Sequence, residues 1–212
     1  MNVNVINSFD TSLIDITPRG LTFNGKYFVL SGFESDKIYL LDQSGKVIRS
    51  VNVPFARKNP QSICFDGLFY YQFSKDANSF AKCNYNFYSI KLYDIHLSIP
   101  APTDIAFFCK YLFISDSTND RIYMLNISFK IIKSLDVSSL DPVPSGVVVI
   151  DKYCYILGNT NSNIFQLDFN GNVIDSASLV DIDSSPYCLT FDGLFFYFLG
   201  LTNSKLYKIK IS

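Results

Sequence analysis

The sequence predicts an all-β chain folded as a single five-bladed β-propeller, with four antiparallel strands in each blade. Three observations predict it. Pro18, Pro60, Pro102, Pro144 and Pro186 are each 42 residues from the next. Aligning the chain on those prolines brings hydrophobic columns into register without gaps. Within each repeat the apolar residues follow the two-residue period of strands and not the longer period of helices.

The columns are specific. Three residues after each proline stand Leu21, Ile63, Ile105, Val147 and Leu189, and two further on come Phe23, Phe65, Phe107, Val149 and Phe191. These make the first strand, as in Leu21-Thr22-Phe23. Asn24-Gly25, Asp66-Gly67 and Asp192-Gly193 follow, and such dipeptides favour a type I′ hairpin with positive φ at both turn residues. The second strand reads Tyr27 to Ser31, Phe69 to Phe73 or Tyr111 to Ser115. A polar loop leads to a third strand, Lys37 to Leu41, Arg121 to Leu125 or Asn163 to Leu167. Ser44-Gly45 and Asn170-Gly171 turn the chain into a fourth, Lys46 to Val51, Lys130 to Leu135 or Asn172 to Ser176. Blade two departs from this, since Phe80 to Ile90 lacks the turn glycine and carries extra aromatics.

The termini complete the ring. The fifth repeat supplies only three strands before Ser212. Ile6 falls into the column of Ile48, Ile90, Ile132 and Ile174, so residues 1–17 carry the missing strand. The blades are 18–59, 60–101, 102–143, 144–185, and 186–212 completed by 1–17. Closure of this kind removes an open sheet edge.

Composition excludes several classes. Of 212 residues 48% are hydrophobic and 17% charged, which excludes disorder. The 34 Phe and Tyr residues fit sheets covered on both faces. A net charge of −1 provides no basic footprint, so nucleic acid is disfavoured as a partner. The cationic stretches Arg57-Lys58 and Lys205 to Lys210 are short. The longest apolar runs, Gly146 to Ile150 and Leu194 to Leu199, are far shorter than the roughly 20 residues that span a bilayer. Residues 1–7 lack the features of a signal peptide. Cys64, Cys83, Cys109, Cys154 and Cys188 show no CxxC spacing and are expected as buried free thiols, favouring a cytoplasmic or otherwise reducing compartment. With one histidine, His96, no Cys/His metal cluster is expected, nor a Ser/His/Asp triad, and no cofactor-binding glycine motif is present.

The third repeat reads Pro102-Thr-Asp-Ile-Ala, then Tyr111 to Asp116, then Asn119-Asp-Arg121-Ile122. This resembles the NHL repeat. Asn203-Ser-Lys205-Leu206 and Asn161-Ser-Asn163-Ile164 match it in outline. The resemblance implies a rigid disc for protein or RNA binding, some relatives being enzymes. The marks of WD40 blades are missing, and the chain has no tryptophan.

Candidate ligand-binding positions follow from the architecture. The channel mouth, one residue after each proline, presents Arg19, Gln61, Thr103, Ser145 and Tyr187, and the next positions are Gly20, Ser62, Asp104, Gly146 and Cys188. Such a ring suits one asymmetric ligand, although small polar groups near a crowded axis can also be solvated by channel water. Asn119, Asn161 and Asn203 share a column on the same face. Three amides can bind sugars, and asparagine also caps turns. Asp104 and Asp116 are the acids placed for catalysis. Asp141, Asp181 and Asp183 lie in loops of the ligand face, where Asp181-Ile182-Asp183 is a weak candidate for a cation. The leading expectation is a non-enzymatic binding module, a scaffold or assembly subunit for a protein partner. The alternatives are a multivalent lectin binding glycans, and a propeller hydrolase or lyase using channel-mouth aspartates.

Overall fold

The computed structural model describes residues 1–53, 58–94, 98–141 and 143–212. Among these, strand β1 (Val3–Asp10) precedes the first blade of β2 (Pro18–Phe23), β3 (Phe28–Gly32), β4 (Lys37–Leu41) and β5 (Val47–Asn52). The second blade comprises β6 (Pro60–Phe65), β7 (Tyr70–Ser74), β8 (Ser79–Cys83) and β9 (Ser89–Tyr93). The third comprises β10 (Pro102–Phe108), β11 (Tyr111–Asp116), β12 (Arg121–Asn126) and β13 (Ile131–Asp136). The fourth comprises β14 (Pro144–Ile150), β15 (Tyr153–Gly158), β16 (Asn163–Leu167) and β17 (Val173–Ser178). In the fifth, β18 (Pro186–Phe191), β19 (Phe196–Gly200) and β20 (Lys205–Ile211) are completed by β1, which pairs antiparallel with β20 from Val3–Ile211 to Asp10–Lys205. The fold is all-β, five four-stranded blades closed into a ring.

The innermost strands β2, β6, β10, β14 and β18 contact one another in cyclic order and surround the axis. The hydrophobic columns pack between neighbouring sheets, making one core cluster for each of the five junctions. Leu21, Ile63, Ile105, Val147 and Leu189 are all buried. The outermost column Ile6, Ile48, Ile90, Ile132 and Ile174 is about half exposed, so β-branched strand preference, not core packing, accounts for it.

Two local expectations are corrected. At Asn24-Gly25, Asp66-Gly67 and Asp192-Gly193 only the glycine has positive φ. The leading Asn or Asp accepts two backbone N–H groups, as Asp192 Oδ1 does from Leu194 and Phe195, and that side-chain cap replaces the second left-handed residue. The two-residue turn with both φ positive occurs instead at Cys109-Lys110. That turn leaves Cys109 exposed, unlike the other four thiols, which are buried; all five are free. Secondly, the blade-two turn without glycine places Phe87 at φ 65°, where Gly45 and Gly171 stand in other blades, and Phe129 does the same in blade three. Both rings are buried, which offsets the backbone strain.

Candidate functional site

Four innermost strands have a register shift between the proline and the residue two places on, and β18 has it one residue later, between Tyr187 and Leu189. A bulge re-aims side chains, and here it sets two successive positions of each blade around the channel. The ring expected at the mouth divides into two kinds of residue. Thr103 Oγ1 donates to the Pro144 carbonyl at 2.6 Å and Ser145 Oγ to that of Pro186 at 2.8 Å. These two tie one blade to the next. Arg19, Gln61 and Tyr187 instead converge from blades one, two and five. Gln61 Nε2 donates to the Tyr187 hydroxyl at 3.0 Å, and the Arg19 guanidinium lies 4.8 Å from the centre of the Tyr187 ring.

One level deeper stand Gly20, Ser62, Asp104, Gly146 and Cys188. Glycine is required at Gly20, where a Cβ would come within 2.9 Å of both Ser31 Oγ and the Ser62 backbone. Asp104 is fully buried, and its Oδ2 crosses the axis to accept the backbone N–H groups of Val147 and Leu189, each at 3.0 Å. Burial pushes its pKa up to about 8, against the lowering effect of the Val147, Leu189 and Ile105 amides. Burial and the nearby Asp104 carboxylate both raise the Cys64 and Cys188 thiols. Burial raises the Tyr187 phenol, while Arg19 and Gln61 hold it back.

Four buried side-chain atoms lack a hydrogen-bond partner among the described residues: Arg19 Nε, Ser31 Oγ, Ser62 Oγ and Asp104 Oδ1. Arg19, Ser62 and Asp104 stand at the channel positions of blades one to three, and Ser31 Oγ lies beside Gly20 on the next strand. Leaving such an atom unpaired costs about 1–3 kcal/mol, so four in one place mark a site with unspent polar capacity. Ser31 was the residue sequence reading missed. The available signal was its column, which also holds Ser115, whose hydroxyl accepts the Asp104 N–H. Beyond the channel floor, a cavity of about 130 Å³ is lined by Thr22, Cys64, Ala106, Thr190 and the Phe23, Phe65, Phe107 and Phe191 rings.

The other candidates are committed to the framework. Asn119 and Asn203 donate to the hydroxyls of Tyr123 and Tyr207, and Asn161 to the Leu140 carbonyl. Asp116 accepts the N–H groups of Ala101, Thr118 and Asn119. Asp141 accepts those of Val143, Thr160 and Asn161, and Asp183 those of Ser185, Thr202 and Asn203. These are the same three backbone positions in three blades. Asp181 is exposed while Asp183 is buried, so the pair does not converge on an ion. Among the described residues no three His, Cys, Asp or Glu side chains gather. Arg57 and His96 lie outside the described residues.

No protein-family model and no curated protein matches the chain, so the resemblance to NHL repeats rests on its own motif residues. Solved structures share the ring. The chain is similar to a glutaminyl cyclase from Myxococcus xanthus, with a TM-score of 0.80 and 12% identity over 98% of this chain and 95% of that one. It is similar to a streptogramin B lyase, with a TM-score of 0.62 and 19% identity over 98% and 70%. A virginiamycin B lyase from Staphylococcus aureus, solved with quinupristin, gives 0.60 and 15% over 92% and 66%. At these identities the likeness is one of fold. It nevertheless corrects the expectation of a non-enzymatic protein-binding scaffold, because these neighbours sharing the ring are enzymes.

Proposed function

We propose that the chain is an enzyme whose active site is the central channel, with Asp104 as its proton-carrying group and an amide-bearing substrate. One observation carries this reading: Arg19 Nε, Ser31 Oγ and Ser62 Oγ are unpartnered in blades one and two, and the buried Asp104 carboxyl that crosses the axis keeps Oδ1 unpartnered too. An amide both donates and accepts, and so can satisfy Arg19 Nε, the two serine hydroxyls and Asp104 Oδ1 together. A carboxyl with a pKa of about 8 is present in both forms near neutral pH, as a general acid–base group must be. The whole-chain likeness in fold to a glutaminyl cyclase supports cyclisation as the reaction class. The substrate's terminal amine attacks its own side-chain amide carbon, and the bond from that carbon to the amide nitrogen breaks. Asp104 takes the proton from the amine and passes it to the departing nitrogen, which leaves as ammonia. Substrate entry requires the Gln61–Tyr187 contact to open.

The test is to incubate the protein with a peptide bearing N-terminal glutamine, following ammonia release and the cyclised product by mass spectrometry. The reading expects turnover that Asp104→Asn abolishes in a protein still folded by circular dichroism. No product at millimolar peptide, or product unaffected by Asp104→Asn, overturns it.

A further inference from the structure

Above the Gln61–Tyr187 contact the mouth carries a second group of residues. Pro18 pairs with Gly32 and Pro60 with Ser74, which brings Phe33 and Lys75, the next residues on, to the face that carries Arg19. The Arg19 guanidinium lies 5.4 Å from the centre of the Phe33 ring and 4.8 Å from that of Tyr187. The Lys75 ammonium is 5.8 Å from the same Phe33 ring. Two cations therefore share one aromatic ring. Among the described residues neither has a carboxylate at ion-pairing distance. Glu34, the acid next to Phe33, accepts the Thr17 hydroxyl at 3.5 Å instead.

Cation–π contact holds a guanidinium in place without neutralising it. A positioned arginine presents a planar fork of donors that matches a carboxylate, while a lysine supplies a point charge to either anion. Gln61 Nε2 donates to Tyr187, and the net charge left unneutralised at this mouth is cationic.

We infer that Arg19 and Lys75, framed by Phe33 and Tyr187, form a carboxylate-binding subsite at the outer mouth of the channel, with Arg19 making the paired contact. The subsite stands on its own geometry and is measured by binding, without turnover. A chain that takes the carboxylate and does not cyclise glutaminyl peptides retains this inference and loses the preceding one.

The experiment is calorimetric titration with succinate at low ionic strength. The expected result is saturable binding that weakens as salt is added. Arg19→Gln should weaken it at least tenfold, Lys75→Gln several-fold, and Lys130→Gln, in the turn that precedes β13, not at all. No binding to the wild-type protein, or binding that Arg19→Gln leaves unchanged, overturns the inference. So does inorganic phosphate binding more tightly than succinate, since the site would then read charge and not the carboxylate plane. A second variant, Arg19→Lys, guards against loss of packing. It keeps the charge, and it should fold as the wild type while binding succinate more weakly.

Discussion

Gly158 and Asp141 share a space that holds only one carboxylate: a Cβ on Gly158 would lie 2.5 Å from Asp141 Oδ2. Blade three has the opposite pairing, with Ile99 at the loop position and Asp116 at the strand end. The same three backbone N–H groups are capped in either case. The blades therefore solve one hydrogen-bonding problem with a carboxylate delivered either from a strand end or from the loop that precedes the innermost strand.

Exchanging the two solutions tests this. Gly158→Asp alone places a second buried carboxylate against the first and should cost about 3 kcal/mol or more in urea denaturation. Adding Asp141→Ile should recover about 2 kcal/mol, a coupling expected only of residues in one network. Simple additivity of the two changes would refute the shared-cap account.

Asp104 predicts a pH dependence. Its folded pKa of about 8 lies above its ordinary 3.8, so the folded chain keeps a proton that the unfolded chain releases. Stability from this group is fully present below about pH 4 and is lost as pH rises toward 8, by at most about 1.4 kcal/mol per unit. Asp104→Asn is neutral throughout and should flatten that slope in melting curves taken from pH 5 to 9. Asp104→Ala leaves the Val147 and Leu189 amides without their acceptor and should cost about 2–4 kcal/mol at every pH. Parallel wild-type and Asp104→Asn curves would remove the assigned cause.

The ring was legible because closure repeats every choice five times. A column such as Ile38, Phe80, Ile122, Ile164 and Leu206 needs no knowledge of contacts, and Ile6 and Ser8, in the columns of Ile48 and Ser50, identified the closing strand. The site was legible only in part, because the channel departs from the repeat. Sequence position placed Asp104 and the mouth ring, but could not show that Thr103 and Ser145 bind neighbouring carbonyls while Arg19, Gln61 and Tyr187 meet across the axis. Ser31 and Phe33 look like a strand-end and a loop residue until the blades are set side by side. The acids misled for a related reason: Asp116 ends a strand while Asp141 and Asp183 share one loop column three residues before a blade proline, yet all three fill one role in space.

Phe129 is held at φ 61° with its ring stacked 4.4 Å from Tyr93. Phe129→Gly relieves the backbone but removes the ring, and losing the buried ring costs more than the relief returns. A net loss of about 2–4 kcal/mol is expected. Phe129→Leu keeps the strain and part of the burial and should fall between the two. A glycine variant more stable than wild type would show that the backbone strain outweighs the packing.

The Gln61–Tyr187 contact predicts access to the channel. Tyr187→Phe removes the acceptor while keeping the ring that Arg19 covers, so the fold should lose only about 1 kcal/mol. The consequence should appear next door, at Cys188, which is buried one residue further along the same strand. In a Cys109→Ser background, which removes the exposed thiol, labelling by a small thiol reagent should quicken several-fold at Cys188 in the Tyr187→Phe variant. Cys154, buried in the junction of blades three and four, should label as slowly as before. Mass spectrometry of the labelled peptides separates the two sites. Equal acceleration at both would mean general loosening of the ring. Faster labelling confined to Cys188 would mean that breaking this one hydrogen bond opens the mouth.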